Sequence, residues 1–460
     1  MLPPELINDI FCRLPVKALV RFKSIAKPIA SLIEDPQFIA AHLKQSEETG
    51  NNHTLILIDR THTTSSNDII ILQVKETTSI YSAFEKITCP LSGIVRVIGC
   101  LNGLLSLLNR ENQIIVWNIA TREHQVIPNQ PPPLPLYLNE FRYSSAFTHE
   151  YYALNDDLFT HEFYALNNDD LFTHEFYALN NDDFQNGGLP DSFEEALLGD
   201  HFLYEDYKTY DSTVYGFGYN SIDDDYKLVK ITKLVTGENL ARHDTEIYSL
   251  KNGMWKMSTP LEGDGLSLIS LKGTYFAGNL HWLGLGPLGS LPYKIVAFAV
   301  ETEEFYVLPL PDELSVYNCA PKLVILGGSL FAVGYSRDLS SMNLWVLENY
   351  DMDKNSWTKL FSATVAEGFG HLSCPIFYSK GGDHQVLMKD TDGTVLWYDL
   401  EGKRVNEIHI PVHLQKGNGA EICVESLVRP KLHRPNIVHG SMLRLLGFGL
   451  GFSKNRPRDY

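Results

Sequence analysis

The chain has 460 residues, 44% of them apolar and 20% charged, with a formal net charge of −18. That length calls for a small module beside a larger body with a core of its own. An acidic chain with no basic stripe argues against nucleic acid as a partner, and no apolar run reaches the ~20 residues of a membrane span. Residues 1–14 are amphipathic rather than a basic stretch leading into an apolar one, so no targeting signal is expected there. Cys12, Cys89, Cys100, Cys319, Cys374 and Cys423 include no C-x-x-C pair, which predicts reduced thiols and a cytoplasmic or nuclear setting.

Leu2, Leu6, Ile10 and Leu14 recur every four residues, with Ile7 and Phe11 widening the same face, so the chain opens on an amphipathic helix. Pro15 stops it and suits the first turn of the next helix. That second helix is expected to turn Leu19, Phe22 and Ile25 inward and Lys17, Arg21 and Lys23 outward, and to end at Pro28. Asp35-Pro36 reads as an N-cap followed by proline at the first helical position, launching a third helix with Phe38, Ile39, His42 and Leu43. Three short helices bury little surface, so such a unit is marginal until it docks.

The runs Leu2-Pro3-Pro4-Glu5-Leu6-Ile7, Ile10-Phe11-Cys12-Arg13-Leu14-Pro15-Val16-Lys17, Arg21-Phe22-Lys23 and Ser31-Leu32-Ile33 resemble an F-box, and their wording is similar to plant F-box proteins with a type-one F-box-associated domain. The resemblance implies that Leu2, Pro3, Ile10, Leu14, Pro15, Leu19 and Ile33 bind the Skp-type adaptor of a Skp–cullin–F-box ligase, and through it cullin. One stretch departs from the pattern: Ala26-Lys27-Pro28-Ile29 has Ile29 where relatives carry tryptophan. Losing that ring costs ~1–2 kcal/mol of apolar contact, which makes a non-ligase binding protein with a degenerate F-box the alternative.

Downstream, Trp117, Tyr248, Phe298, Tyr350 and Tyr398 each close a β-type run, the last four about 50 residues apart. Seven residues beyond three of them stand Trp255, Phe305 and Trp357, with turn-formers between. This is a repeated hairpin, the signature of kelch-like propeller blades. Asn102-Gly103 and Gly327-Gly328 mark further tight hairpins. Strands at 53–59 and 68–74 precede the first clear blade, and a strand at 422–428 is expected to pair with them and close the ring. Gly99-Cys100-Leu101-Asn102-Gly103-Leu104, Trp117-Asn118-Ile119-Ala120-Thr121-Arg122-Glu123, Tyr215-Gly216-Phe217-Gly218-Tyr219 and His281-Trp282 resemble the F-box-associated domain, which in that family is taken to hold the substrate. The expected fold is mainly β with a small α module: a three-helix F-box at 1–46, then a kelch-like β-propeller of about six blades at 53–428.

Residues 139–211 form an acidic insertion with 17 carboxylates against Arg142 and Lys208, so most of the chain's negative charge lies there. Within it, 148–157, 160–170 and 173–183 are near-identical copies. His149, His161 and His174 lack the i, i+4 spacing of a compact metal site, and the segment reads as a solvated loop, with a contact surface for a basic target as the functional alternative. Gly284-Leu285-Gly286-Pro287-Leu288-Gly289 spells a dinucleotide loop, but strand follows it rather than a helix N-terminus, so it reads as a hairpin loop. No catalytic set, metal or cofactor is nominated. A kelch-type oxidase is the remote alternative, and the expected partners are the adaptor and an unidentified protein target. Residues 431–460 read as a basic flexible tail.

Overall fold

The computed structural model describes residues 3–430 apart from 51, 60–67, 74–84, 130–212, 236–240, 262–265, 287–291, 316–320, 337–340, 351–355, 365–373, 380–384, 390–393, 402–403 and 409–417. Leu2, the acidic insertion at 139–211 with His149, His161 and His174, and the tail at 431–460 lie outside the described residues.

Four helices open the chain where three were expected: α1 (Pro4–Cys12), α2 (Val16–Phe22), α3 (Lys27–Glu34) and α4 (Pro36–Thr49). Pro28 does not end the second helix. It sits in the first turn of α3, where the missing N–H has no intrahelical partner to lose. The Asp35 carboxylate caps α4, accepting from the N–H groups of Gln37 at 2.7 Å and Phe38 at 3.2 Å. Val16, Leu19, Ile33 and Phe38 form the buried centre of this module.

The rest is β. β1 (His53–Asp59), β2 (Asp68–Gln73) and β3 (Glu85–Thr88) make a sheet completed by the last strand, β25 (Asn418–Val424), which pairs antiparallel with β1. The closing strand therefore ends four residues earlier than expected, and 425–429 leave the sheet. β4 (Ile94–Leu101), β5 (Leu104–Asn109), β6 (Ile114–Asn118) and β7 (His124–Ile127) form an antiparallel meander. So do β8 (Thr213–Asn220), β9 (Asp225–Val235), β10 (Ala241–Ser249) and β11 (Met254–Met257). After the short β12 (Ser267–Leu268) come β13 (Lys272–Phe276), β14 (Asn279–Leu285), β15 (Lys294–Ala299) and β16 (Phe305–Pro309). β17 (Lys322–Leu326), β18 (Ser329–Tyr335), β19 (Ser341–Asn349) and β20 (Ser356–Thr364) follow. The last meander is β21 (Cys374–Tyr378), β22 (Gln385–Lys389), β23 (Val395–Asp399) and β24 (Arg404–Ile408). Two residues of parallel pairing between β8 and β13 merge the third and fourth groups into one nine-stranded sheet.

Two of the aromatic pairs read from the sequence face each other on the third and fourth strands of their groups, Tyr248 with Trp255 and Phe298 with Phe305, whereas Tyr350 falls just past β19 and Trp357 pairs with Leu347 instead. Asn102-Gly103 and Gly327-Gly328 adopt the positive φ that tight hairpins require. Apolar clusters lie between consecutive groups. Ile56, Ile58, Ile69 and Ile71 of the first pack on Leu105, Leu107 and Trp117 of the second. The last group returns to the first, through Trp397, Leu387 and Phe377 against Leu55 and Leu57. Each such aliphatic side chain removed from water is worth ~1.5–3 kcal/mol.

The expectation that all six cysteines are thiols is corrected: Cys100 on β4 and Cys423 on β25 are joined as a disulfide. Two cysteines 323 residues apart become neighbours only because the chain's last strand returns beside its early ones.

Candidate protein-docking surface

The helical module leaves apolar side chains in water. Pro3, Leu6 and Ile10 follow at helical spacing along α1, and Leu6 and Ile10 remain 51% and 46% exposed. Pro15 is exposed at the start of α2. Ile25 was expected to face inward, yet it is 66% exposed, because α2 ends at Phe22 and releases it into the connection to α3. Exposed apolar side chains on so small a unit have the composition of a contact surface.

The six described residues among the seven expected from the sequence thus divide. Pro3, Ile10 and Pro15 face solvent. Leu14 is half-buried against the module's core, and its carbonyl accepts a 2.9 Å hydrogen bond from Nε2 of the fully buried His42. Burial lowers the pKa of His42, which keeps it neutral. Leu19 and Ile33 are wholly inside the module. Ile29 is half-buried against the same core. Leu6 and Ile25 are the surface residues that were not nominated. Amphipathic periodicity marks both as apolar but cannot say which apolar positions a four-helix packing leaves outside.

The module rests on one end of the β body. Glu85 on β3 receives Lys17 from α2 and Arg122 from the β6–β7 turn, the latter at 2.8 Å. Arg429 reaches Glu34 of α3 at 2.8 Å and Glu123 at 3.5 Å, and Lys23 also approaches Glu34, at 3.6 Å. Hydrogen bonding and charge from Arg429 hold the Glu34 carboxyl below the usual carboxylate range, and the hydrogen bond from Lys17 does the same for Glu85. Leu427, only 2% exposed, is packed into the helical core from the segment after β25.

Strand direction places the β5–β6 turn and the starts of β4 and β8 at the opposite end of the body. There a cavity of about 310 Å³ is lined by Arg96, Ile114, Ile127, Tyr215, Lys230 and Trp255, among others. Both cations are engaged: Arg96 donates to the Thr213 carbonyl at 3.3 Å, and Lys230 pairs with Glu246 at 2.8 Å. No group of three or more metal-ligating side chains converges among the described residues, and none of the described helices is long and apolar enough to cross a membrane.

A sequence profile of the F-box domain matches residues 1–40, and that of the F-box associated beta propeller domain matches residues 201–429. The chain belongs to the F-box proteins that carry an F-box-associated domain. Arabidopsis thaliana F-box protein CPR1 is 26% identical over 451 residues, covering 93% of this chain and 88% of that protein. F-box protein At4g22390 is 24% identical over 444 residues (93% and 90% of the two chains), and F-box/kelch-repeat protein At3g23880 is 22% identical over 439 (93% and 96%), both from the same plant. F-box proteins are in general non-catalytic adaptors that bind Skp-type proteins and select substrates for ubiquitin ligases. The F-box here is the four-helix module with its exposed Leu6 and Ile10.

Proposed function

We propose that this F-box protein is a substrate-recognition subunit of a Skp–cullin–F-box ubiquitin ligase with no catalytic role of its own. Residues 1–46 dock the Skp-type adaptor, and cullin joins through it. Residues 53–428 form a kelch-like propeller of about six blades interrupted by the insertion at 139–211, followed by the tail at 431–460. Support for the ring comes from the return of β25 to β1 and the apolar cluster between the last and first groups. Its cavity-bearing end, away from the F-box, is the face that holds the protein target. We place the protein in the cytoplasm or nucleus.

The observation that carries this reading is the pair of exposed apolar side chains, Leu6 and Ile10, one turn apart on a module with the F-box pattern. Co-purification of the full chain with a Skp-type adaptor is the test. A one-to-one complex is expected, and Leu6→Glu with Ile10→Glu should abolish it while the Tm changes by no more than a few degrees. No complex from the parent chain would leave the reading as a non-ligase binding protein, the direction in which Ile29 in place of tryptophan points.

A further inference from the structure

β25 and β4 belong to different hydrogen-bonded sheets, and the Cys100–Cys423 bond is a covalent tie between them. Immediately beyond each cysteine lies the seat of the F-box. Three residues after Cys423, the Ser426 hydroxyl donates to the Asn102 carbonyl at 2.6 Å, and Asn102 is two residues after Cys100. Gly103 follows at φ +82, and a Cβ there would stand 2.3 Å from the Ser426 Oγ, so only glycine admits the segment. Asn118 Nδ2 donates to the carbonyls of Ser426 (2.9 Å) and Val428 (2.7 Å), while the Glu425 N–H donates to the Asn52 carbonyl at 2.8 Å. Residues 425–429 are therefore held as a strap. Leu427 fills the helical core from it and Arg429 ties it to Glu34 and Glu123.

We propose that the Cys100–Cys423 bond is a redox clasp on this strap, coupling closure of the β body to the order of the F-box. With the bond formed, β4 and β25 cannot separate and Leu427 stays seated. A dithiol reductant attacks the half-buried Cys100 sulfur or the Cys423 sulfur. Its two thiols become a disulfide while the protein gains two thiols, two electrons and two protons passing to the protein. Exchange with a glutathione-type disulfide reverses the step. Loosening the strap removes an apolar side chain and an arginine from a module too small to order itself. Any effect on the adaptor rests on the function proposed above; the clasp itself does not.

The full chain, purified without reductant, provides the test. Denaturing alkylation and intact mass should show Cys100 and Cys423 modified only after dithiothreitol. Hydrogen exchange in residues 4–49 and 425–429 should then quicken at least ~fivefold. Cys423→Ser should exchange like the reduced parent and ignore dithiothreitol, whereas Cys89→Ser should keep the response. Free alkylation of both cysteines even after oxidised glutathione would overturn the clasp, and so would a reducible bond whose loss leaves helical exchange unchanged. Adaptor titration in both redox states separates the two ideas: if exchange responds but no adaptor binds in either state, the clasp stands and the adaptor reading falls.

Discussion

His281 is fully buried on β14, and its neighbours assign its proton. Nδ1–H donates to the Thr274 carbonyl at 3.0 Å, so Nε2 accepts from the Tyr350 hydroxyl at 2.7 Å, and the Tyr306 hydroxyl donates onto the Tyr350 oxygen. Burial lowers the imidazole's pKa to about 4, and burial beside Lys233 takes His243 to about 4 as well. Both are neutral in the fold, whereas in the unfolded chain they protonate near their ordinary value of 6.5. Below that pH the unfolded state binds more protons, so stability is full above pH 6.5 and falls as pH drops toward 4. Each histidine contributes on the order of 3 kcal/mol to that loss. Thermal melts from pH 7.5 to 4.5 should show Tm falling below 6.5, and a flat profile would contradict the buried neutral assignment. His281-Trp282 was visible in the sequence as a family motif, but its chemistry was not. Tyr350, which satisfies the ring, stands 69 residues downstream just after β19 in another sheet, and Tyr306, 25 residues downstream on β16 of the same sheet as His281, bonds it in turn.

At the scale of elements, local chemistry was legible and packing was not. Asp35-Pro36 opens α4 as expected because a cap acts within three residues of itself. At position 28 proline starts α3 rather than stopping α2, and only the helix that follows distinguishes the two uses of proline. Which apolar residues are core is likewise a packing outcome. Leu19→Ala or Ile33→Ala, each deleting a fully buried side chain, should cost ~2–5 kcal/mol. Leu6→Asp, on the exposed side of α1, should stay within ~0.5 kcal/mol in the free protein. Chemical denaturation of the three variants measures this, and equal losses would mean α1 packs differently. If Leu6→Asp alone also weakens adaptor capture, stability and docking are separable on one small module.

Over the whole molecule, the first and last strands share a sheet, so cohesion depends on the C-terminal part of the body returning to the N-terminal one. Ending the chain at residue 417 would remove β25, strip β1 of a partner and take away Leu427 and Arg429. That variant should be insoluble or expanded, judged by size-exclusion chromatography, because an exposed inner edge invites edge-to-edge pairing. A monodisperse, compact product would show that the β body does not need β25.

What the sequence determined alone was whatever acts over a few residues: the helix period, the Asp35 cap, the Asn102-Gly103 and Gly327-Gly328 turns, the roughly 50-residue rhythm of aromatics, and with them the F-box pattern and a mainly β body. What only the tertiary structure decided was everything between residues distant along the chain. It buried Leu19 while leaving Leu6 in water, joined Cys100 to Cys423, and laid 425–429 across the F-box instead of extending the last strand. Periodicity and turn chemistry are written in the chain's own neighbours, whereas burial and covalent pairing depend on which surfaces meet once the sheets have assembled.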